Sequence, residues 1–233
     1  MDYMIRAIDK KQTFRLFMVR STNTVEEARQ HHNTTPTASA ALGRTLTAGL
    51  MMGYMMKNEK DRLTININGG GPIGTILVVS DNSGHVKGYA DNPNVDLDLK
   101  ENGKLNVGGA VGTQGKLTVM MDIGMKEPYV GSTDLATGEI GEDLTLYYYL
   151  SEQQNTAVAL GVLVDTDYSI KSAGGFIVQT LPFIEDEDLD KLEKTLGNLK
   201  SVSDYFDNDK DVEEIAKEIF SDFEIEITDK IPV

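Results

Sequence analysis

Residues 37–56 form a run of twenty positions with a single charge, Arg44. Few folds accommodate such a segment. Its length matches a bilayer span, but a cation near the middle is costly in lipid, and the Thr and Gly content lowers the hydrophobicity further. A helix apolar on every side is more simply a helix buried on every side. Thr37 reads as its cap, with Pro36 just outside. Met51 and Met55, like Met52 and Met56, stand four residues apart and make a flexible apolar face, suited to core packing or to a soft binding surface.

Something must enclose that helix, and the flanking sequence supplies strands. Residues 3–8 and 13–20 read as a hairpin across the polar turn Asp9-Lys10-Lys11-Gln12. Thr24-Val25-Glu26-Glu27 has capping-box spacing and predicts a short helix to about His32. Beyond the apolar run, residues 63–67 alternate with period two. Residues 75–80 and 85–90 form a second hairpin across Asp81-Asn82-Ser83-Gly84. Residues 92–115 are rich in Asn, Asp and Gly and predict a long loop or ribbon. Strands follow at 116–122, 157–165 and 175–181, with a helix at 141–153. The expected fold class is α+β, a mixed body of two β-sheets enclosing the long apolar central helix.

Charge divides the chain. Of a net −15, the last 51 residues hold −11, from 17 acidic and 6 basic side chains. Gly is nearly absent there. This sets a boundary near Pro182, with a core domain over 1–182 and an acidic amphipathic helical linker over 183–233. Leu189, Leu192, Leu196, Leu199 and Val202 recur at helical steps, as do Val212, Ile215, Ile219, Phe220 and Phe223. Asp211-Val212-Glu213-Glu214 carries the start signal of the second helix. Tyr205-Phe206-Asp207-Asn208-Asp209 reads as a loop between them, and residues 223–227 alternate like a strand. Helices this short are marginal unless docked, and their like charges repel. These ten apolar residues are therefore the candidate surface for docking the linker or binding a partner, and the tail is the candidate detachable element.

Chemistry-bearing motifs are sparse. Gly69-Gly70-Gly71-Pro72-Ile73-Gly74 has G-x-G-x-x-G spacing after a strand. A dinucleotide site would need a helix to begin there, whereas the β-branched run 75–80 follows. The competing reading is a Gly-rich connection between closely approaching backbones. Glu27 and His31 share a helix face, as a metal pair or a solvent-facing pair. His85 stands alone, and Asp91, Asp96 and Asp98 lie in the Asn/Gly-rich stretch. No nucleophile elbow, zincin, Walker A or EF-hand pattern occurs, so no catalytic or cofactor-binding residue is expected. Zero Cys excludes thiolate chemistry, Cys-ligated zinc and disulfides within these residues. The negative balance argues against a broad grip on nucleic acid or on acidic membranes. The first residues, Met1-Asp2-Tyr3-Met4-Ile5-Arg6, lack the form of a signal peptide. A cytoplasmic location is the expectation.

Three segments carry a family likeness. These are Thr35-Pro36-Thr37-Ala38-Ser39-Ala40-Ala41-Leu42-Gly43-Arg44-Thr45, the loop Gly69-Gly70-Gly71-Pro72-Ile73-Gly74, and Ala173-Gly174-Gly175-Phe176. Asn92-Pro93, Val111-Gly112 and Ser151-Glu152-Gln153 fall between them in order. Together they resemble the bacterial heat shock protein 33 family of redox-regulated chaperones over the whole chain. The resemblance implies an ATP-independent holdase that keeps unfolding client proteins from aggregating. It implies a core, then a helical linker, then a zinc domain whose cysteines sense oxidant. That last domain would begin just after Val233, so zinc is expected only there and no metal ligand carries over. Unfolded clients are the implied partners, with a homodimer as a further assembly. The alternative is an enzyme or ligand-binding domain that uses the loop 69–74.

Overall fold

The first hairpin forms as the sequence predicts, with β1 (Tyr3–Asp9) and β2 (Phe14–Arg20) paired antiparallel. The structure, a computed structural model, describes residues 1–182, 184–208 and 210–233. Phe183, where the linker was expected to begin, and Asp209 of the expected aromatic loop lie outside the described residues.

Helix α1 (Thr22–His32) starts earlier than its sequence signal. Thr24 does not cap it. Its N–H and hydroxyl instead donate to Asp2 Oδ2, at 2.8 and 3.0 Å. Asn33 ends the helix in the left-handed region, at φ 49°, where Asn is tolerated. Helix α2 (Pro36–Tyr54) follows Thr35, whose hydroxyl donates to the Val95 carbonyl at 2.6 Å and does not cap the helix, with Pro36 in the first turn where its missing N–H costs nothing. Thr37 lies inside the helix, and its hydroxyl donates to Asp96 at 3.1 Å. Every α2 residue after Pro36 is buried except Arg44.

Strands β3 (Arg62–Asn68), β4 (Ile76–Ser80) and β5 (Val86–Ala90) follow. Next come α3 (Val107–Val111), β6 (Lys116–Asp122), β7 (Tyr129–Asp134), α4 (Gly141–Ser151), β8 (Thr156–Val164) and β9 (Ile170–Thr180). Two of these escape the sequence reading. Strand β7 is mostly exposed and lacks an apolar alternation, and α3 is a five-residue turn of Gly, Ala and Val. The tail contains α5 (Asp186–Gly197), α6 (Val202–Phe206), α7 (Val212–Ile219) and β10 (Ile225–Pro232). Helix α6 takes in Tyr205 and Phe206, the first two residues of the stretch expected as a loop.

Two antiparallel five-stranded sheets result, ordered β10-β1-β2-β9-β8 and β5-β4-β3-β6-β7. Helix α2 lies between them, packed on β2, β8 and β9 of the first and on β3, β4 and β5 of the second. This is the expected α+β body, and it explains the all-round apolar run: both sheets bury it. Its one charge is matched. Arg44 pairs with Glu139 at 2.9 Å, and Lys100 also donates to that carboxylate. Burial pushes Glu139 up, but Lys100 and Arg44 outweigh it and hold the carboxyl below its usual range.

Candidate functional site

The first sheet is apolar on both faces. Met4, Phe17, Val19 and Ile177 point towards α2 and join the central core. Ile5, Leu16, Met18, Phe176 and Val178 point the other way and form a second cluster. Neighbouring positions of β2 and β9 are thus apolar without alternation, the pattern of strands covered on both sides. Tail residues do the covering, namely Leu192 of α5, Phe206 of α6, and Val212, Ile215, Ala216 and Ile219 of α7 with Phe220.

Aromatic packing centres the contact. The Phe220 ring sits 5.5 Å from Phe14 and 5.6 Å from Phe176, and Phe223 meets Phe14 edge-on at 5.0 Å. Such pairs add to the gain from buried area. Two glycines let α6 lie close. A Cβ on Gly174 would stand 2.7 Å from the Phe206 ring, and one on Gly161 would stand 2.4 Å from the Ser203 backbone nitrogen. Gly174 belongs to the Ala173–Phe176 segment, so part of that segment is shaped by the tail it receives.

Polar contacts frame the apolar patch. Arg20 donates to the carbonyls of Phe206 and Lys210, each at 2.7 Å, and to that of Asn208 at 3.3 Å. Phe206 ends α6, so a cation at its carbonyl satisfies a group the helix leaves free, while the other two bonds hold the loop that leads to α7. The Tyr3 hydroxyl accepts the Val212 N–H at 2.8 Å and donates to Glu213 at 2.6 Å. Burial, reinforced by the bond to Glu213, pushes that hydroxyl well above its ordinary pKa. Burial also raises Glu213, but Lys230 and Tyr3 more than offset this and hold it low. Body lysines meet tail acids at the rim. Lys11 reaches Asp188 at 3.1 Å, Lys171 reaches Asp207 at 2.8 Å, and Lys10 reaches Glu224 at 2.8 Å. Exposed pairs like these contribute only about 0–1 kcal/mol each.

The ten apolar tail residues are distributed unevenly. Leu192, Val212, Ile215, Ile219 and Phe220 are buried in the second cluster, while Leu196, Leu199, Val202 and Phe223 pack against it half-buried. Leu189 stands apart, lining a gap between α5 and α4 with Leu146 and Tyr149. Val202, read as the end of the first stripe, begins α6 instead. At Asp211 the backbone N–H donates to Glu214 at 2.9 Å, as the capping-box signal requires. Sequence reasoning missed Phe206 and the whole receiving face of the sheet. The uninterrupted apolar run Leu16-Phe17-Met18-Val19 was the available signal.

Strand β10 pairs antiparallel with β1 from Tyr3↔Pro232 to Asp9↔Ile225, so the chain's end forms the edge of the first sheet. Tyr54, at the end of α2, donates its hydroxyl to Asp229 of β10. Arg6 stacks on the Tyr54 ring at 4.6 Å and donates to the Tyr54 carbonyl at 3.1 Å.

The glycine loop offers no phosphate cradle. It leads into β4, not a helix. The Gly70 amide donates to Asn68 Oδ1, Gly71 to Val111 O, and Ile73 to Ala110 O. A Cβ on Gly69 would fall 2.2 Å from the Gly112 carbonyl oxygen, so close backbone approach is what requires glycine there. His31 is exposed and bonded through Nδ1 to the Glu27 carbonyl at 2.9 Å, while His85 meets Asp81 at 3.2 Å. Among the described residues, no group of three or more His, Cys, Asp or Glu is placed to hold a metal ion, and no helix is long and apolar enough to cross a membrane.

Comparison with known proteins agrees with this architecture. The family model described as Hsp33 protein matches residues 2–233. The 33 kDa chaperonin of Alkaliphilus metalliredigens is 54% identical over 200 residues, covering 86% of this chain and 68% of that protein. That of Caldanaerobacter subterraneus subsp. tengcongensis is 50% identical over 232 residues, covering 100% of this chain and 79% of the relative. The crystal structure of the 33 kDa chaperonin (heat shock protein 33 homolog) from Thermotoga maritima superposes with a TM-score of 0.89. It is 36% identical, and the match covers 97% of this chain and 78% of that one. Fold and relatives define a protein of the chaperone class, for which unfolded client proteins are the implied partners. The chain belongs to the Hsp33 family.

Proposed function

We propose that this chain is an ATP-independent holdase without catalytic activity. Its client-binding surface is the outer face of the first sheet together with the apolar stripes of the tail. One observation carries the reading: Ile5, Phe14, Leu16, Met18, Phe176 and Val178 form a continuous apolar face covered by the acidic tail, not by the body. Exposed apolar patches of this kind are binding surfaces or aggregation liabilities. A net charge of −15 favours the first, since it keeps a loaded complex soluble. Release of α5–α7 uncovers the sheet face and frees Leu189, Leu192, Leu196, Leu199, Val202, Val212, Ile215, Ile219, Phe220 and Phe223 at once. These residues hold no cysteine, so release within this chain is governed by docking strength, not by a thiol.

The test is light scattering of a heat-unfolded client with no nucleotide present. The chain should suppress aggregation, and Phe220→Ala should do so at lower concentration because its tail docks less firmly. A chain that suppresses nothing, under conditions where Phe220→Ala also suppresses nothing, overturns the proposal.

A further inference from the structure

At one end of the sandwich the two sheets part around a cavity of about 220 Å³. Its walls are thioether, aliphatic and aromatic, with Met52, Met55, Met121, Leu63, Val119 and Tyr148 among them. The sequence marked this methionine face as core or soft binding surface, and the structure divides it. Met51 and Met52 are buried, whereas Met55 and Met56 follow the end of α2 and are only half-buried, facing the cavity.

The polar groups at the mouth are committed, with one exception. Gln154 donates to the Thr180 carbonyl at 2.8 Å, and Gln179 donates to Thr156 at 3.2 Å. Glu152 accepts the Tyr147 hydroxyl at 2.5 Å. Arg15 is the exception. Its Nε donates to Gln179 Oε1 at 2.8 Å and its guanidinium lies 5.8 Å from the Phe17 ring, which fixes the stem. Its terminal nitrogens donate to no group among the described residues, and no carboxylate pairs with it there. An unpaired guanidinium fork at the mouth of an apolar cavity matches a carboxylate head with an apolar chain. Flexible methionine walls suit a flexible chain.

We propose that this cavity binds a small anionic amphiphile, its carboxylate on Arg15 and its alkyl chain among the methionines. The site is separate from the sheet face under the tail, so it neither depends on the chaperone reading nor tests it. Calorimetric titration of the intact chain with octanoate, kept below micelle formation, decides the matter. Saturable binding at one site is expected, with octylamine at equal concentration giving none. Arg15→Gln should weaken octanoate at least tenfold, with circular dichroism of the unliganded variant confirming that it is folded. Met121→Trp should abolish binding by filling the cavity, and if that variant does not fold the Arg15→Gln comparison decides alone. Absence of saturable binding, equal binding of octylamine, or undiminished binding by Arg15→Gln overturns the proposal.

Discussion

Phe220 is the residue on which tail docking turns. It is fully buried, its ring lies between Phe14 and Phe176, and it sits just past the end of α7 where the chain turns back towards β10. Truncation leaves a cavity as well as losing transfer energy, so Phe220→Ala should cost about 3–5 kcal/mol of docking stability. Hydrogen exchange in α7 measures it: amides there should lose protection while those of β3 and β6 keep theirs. Gly174 makes the converse test. A side chain at that position meets the Phe206 ring at 2.7 Å, and overpacking of this kind costs about 1–3 kcal/mol. Gly174→Val should therefore speed proteolytic cutting between α5 and α7 without altering the opposite sheet. Sequence alone shows Gly174 beside Gly175, but not which of them faces a ring.

Among elements, the tail helices differ in how firmly they are held. Helix α5 buries Leu192 alone, whereas α7 buries Val212, Ile215, Ala216 and Ile219. One buried leucine contributes about 1.5–3 kcal/mol, against about 1–2 kcal/mol of backbone entropy for each residue ordered. Hydrogen exchange should accordingly show α5 opening before α7. Equal protection in the two would contradict this. Acid should loosen the same region. Glu213 and Asp229 have carboxyls held below the usual range, Glu213 by Lys230 and Tyr3 against the opposing effect of burial, and Asp229 mainly by the Tyr54 hydroxyl. A depressed folded-state pKa stabilises the fold above the unfolded value, near 4, and that stabilisation disappears as pH falls through the folded value. Protection of α7 and β10 should thus decline below about pH 4. Glu26, held down to about 2 chiefly by Arg29 and bonded to the Ile170 N–H at 2.9 Å, should keep α1 on β9 to lower pH.

At the scale of the molecule, two cores share one sheet. The central core is enclosed by both sheets, while the second lies between the outer face of the first sheet and the tail. Unfolding should then depart from a single transition. A Phe206→Trp reporter should respond at a lower urea concentration than far-ultraviolet circular dichroism, and coincident curves would show one cooperative unit. Strand β10 complicates a clean detachment, since it is paired with β1 along its length and tied to Tyr54. Tail opening is therefore expected to begin at α5 and α6 and to reach β10 last.

Local pattern determined what depends on a residue and its near neighbours. The buried helix, the hairpins, the amphipathic stripes and the Asp211 start signal are all written in spacing, because side-chain period and capping chemistry act over a few residues. The Gly69–Gly74 loop was legible as a close approach of backbones, though not that its partner is the turn at Val111-Gly112. Tertiary structure alone decided the rest. A strand near the chain's end returns to the strand at its beginning, a sheet face that looks like core is covered by the tail helices, and methionines of α2, of the turn after it and of β6 line a cavity beside the Arg15 guanidinium. Which strand pairs with which, and what lies over a face, are settled by contacts between residues far apart in sequence, whose energies no local period records.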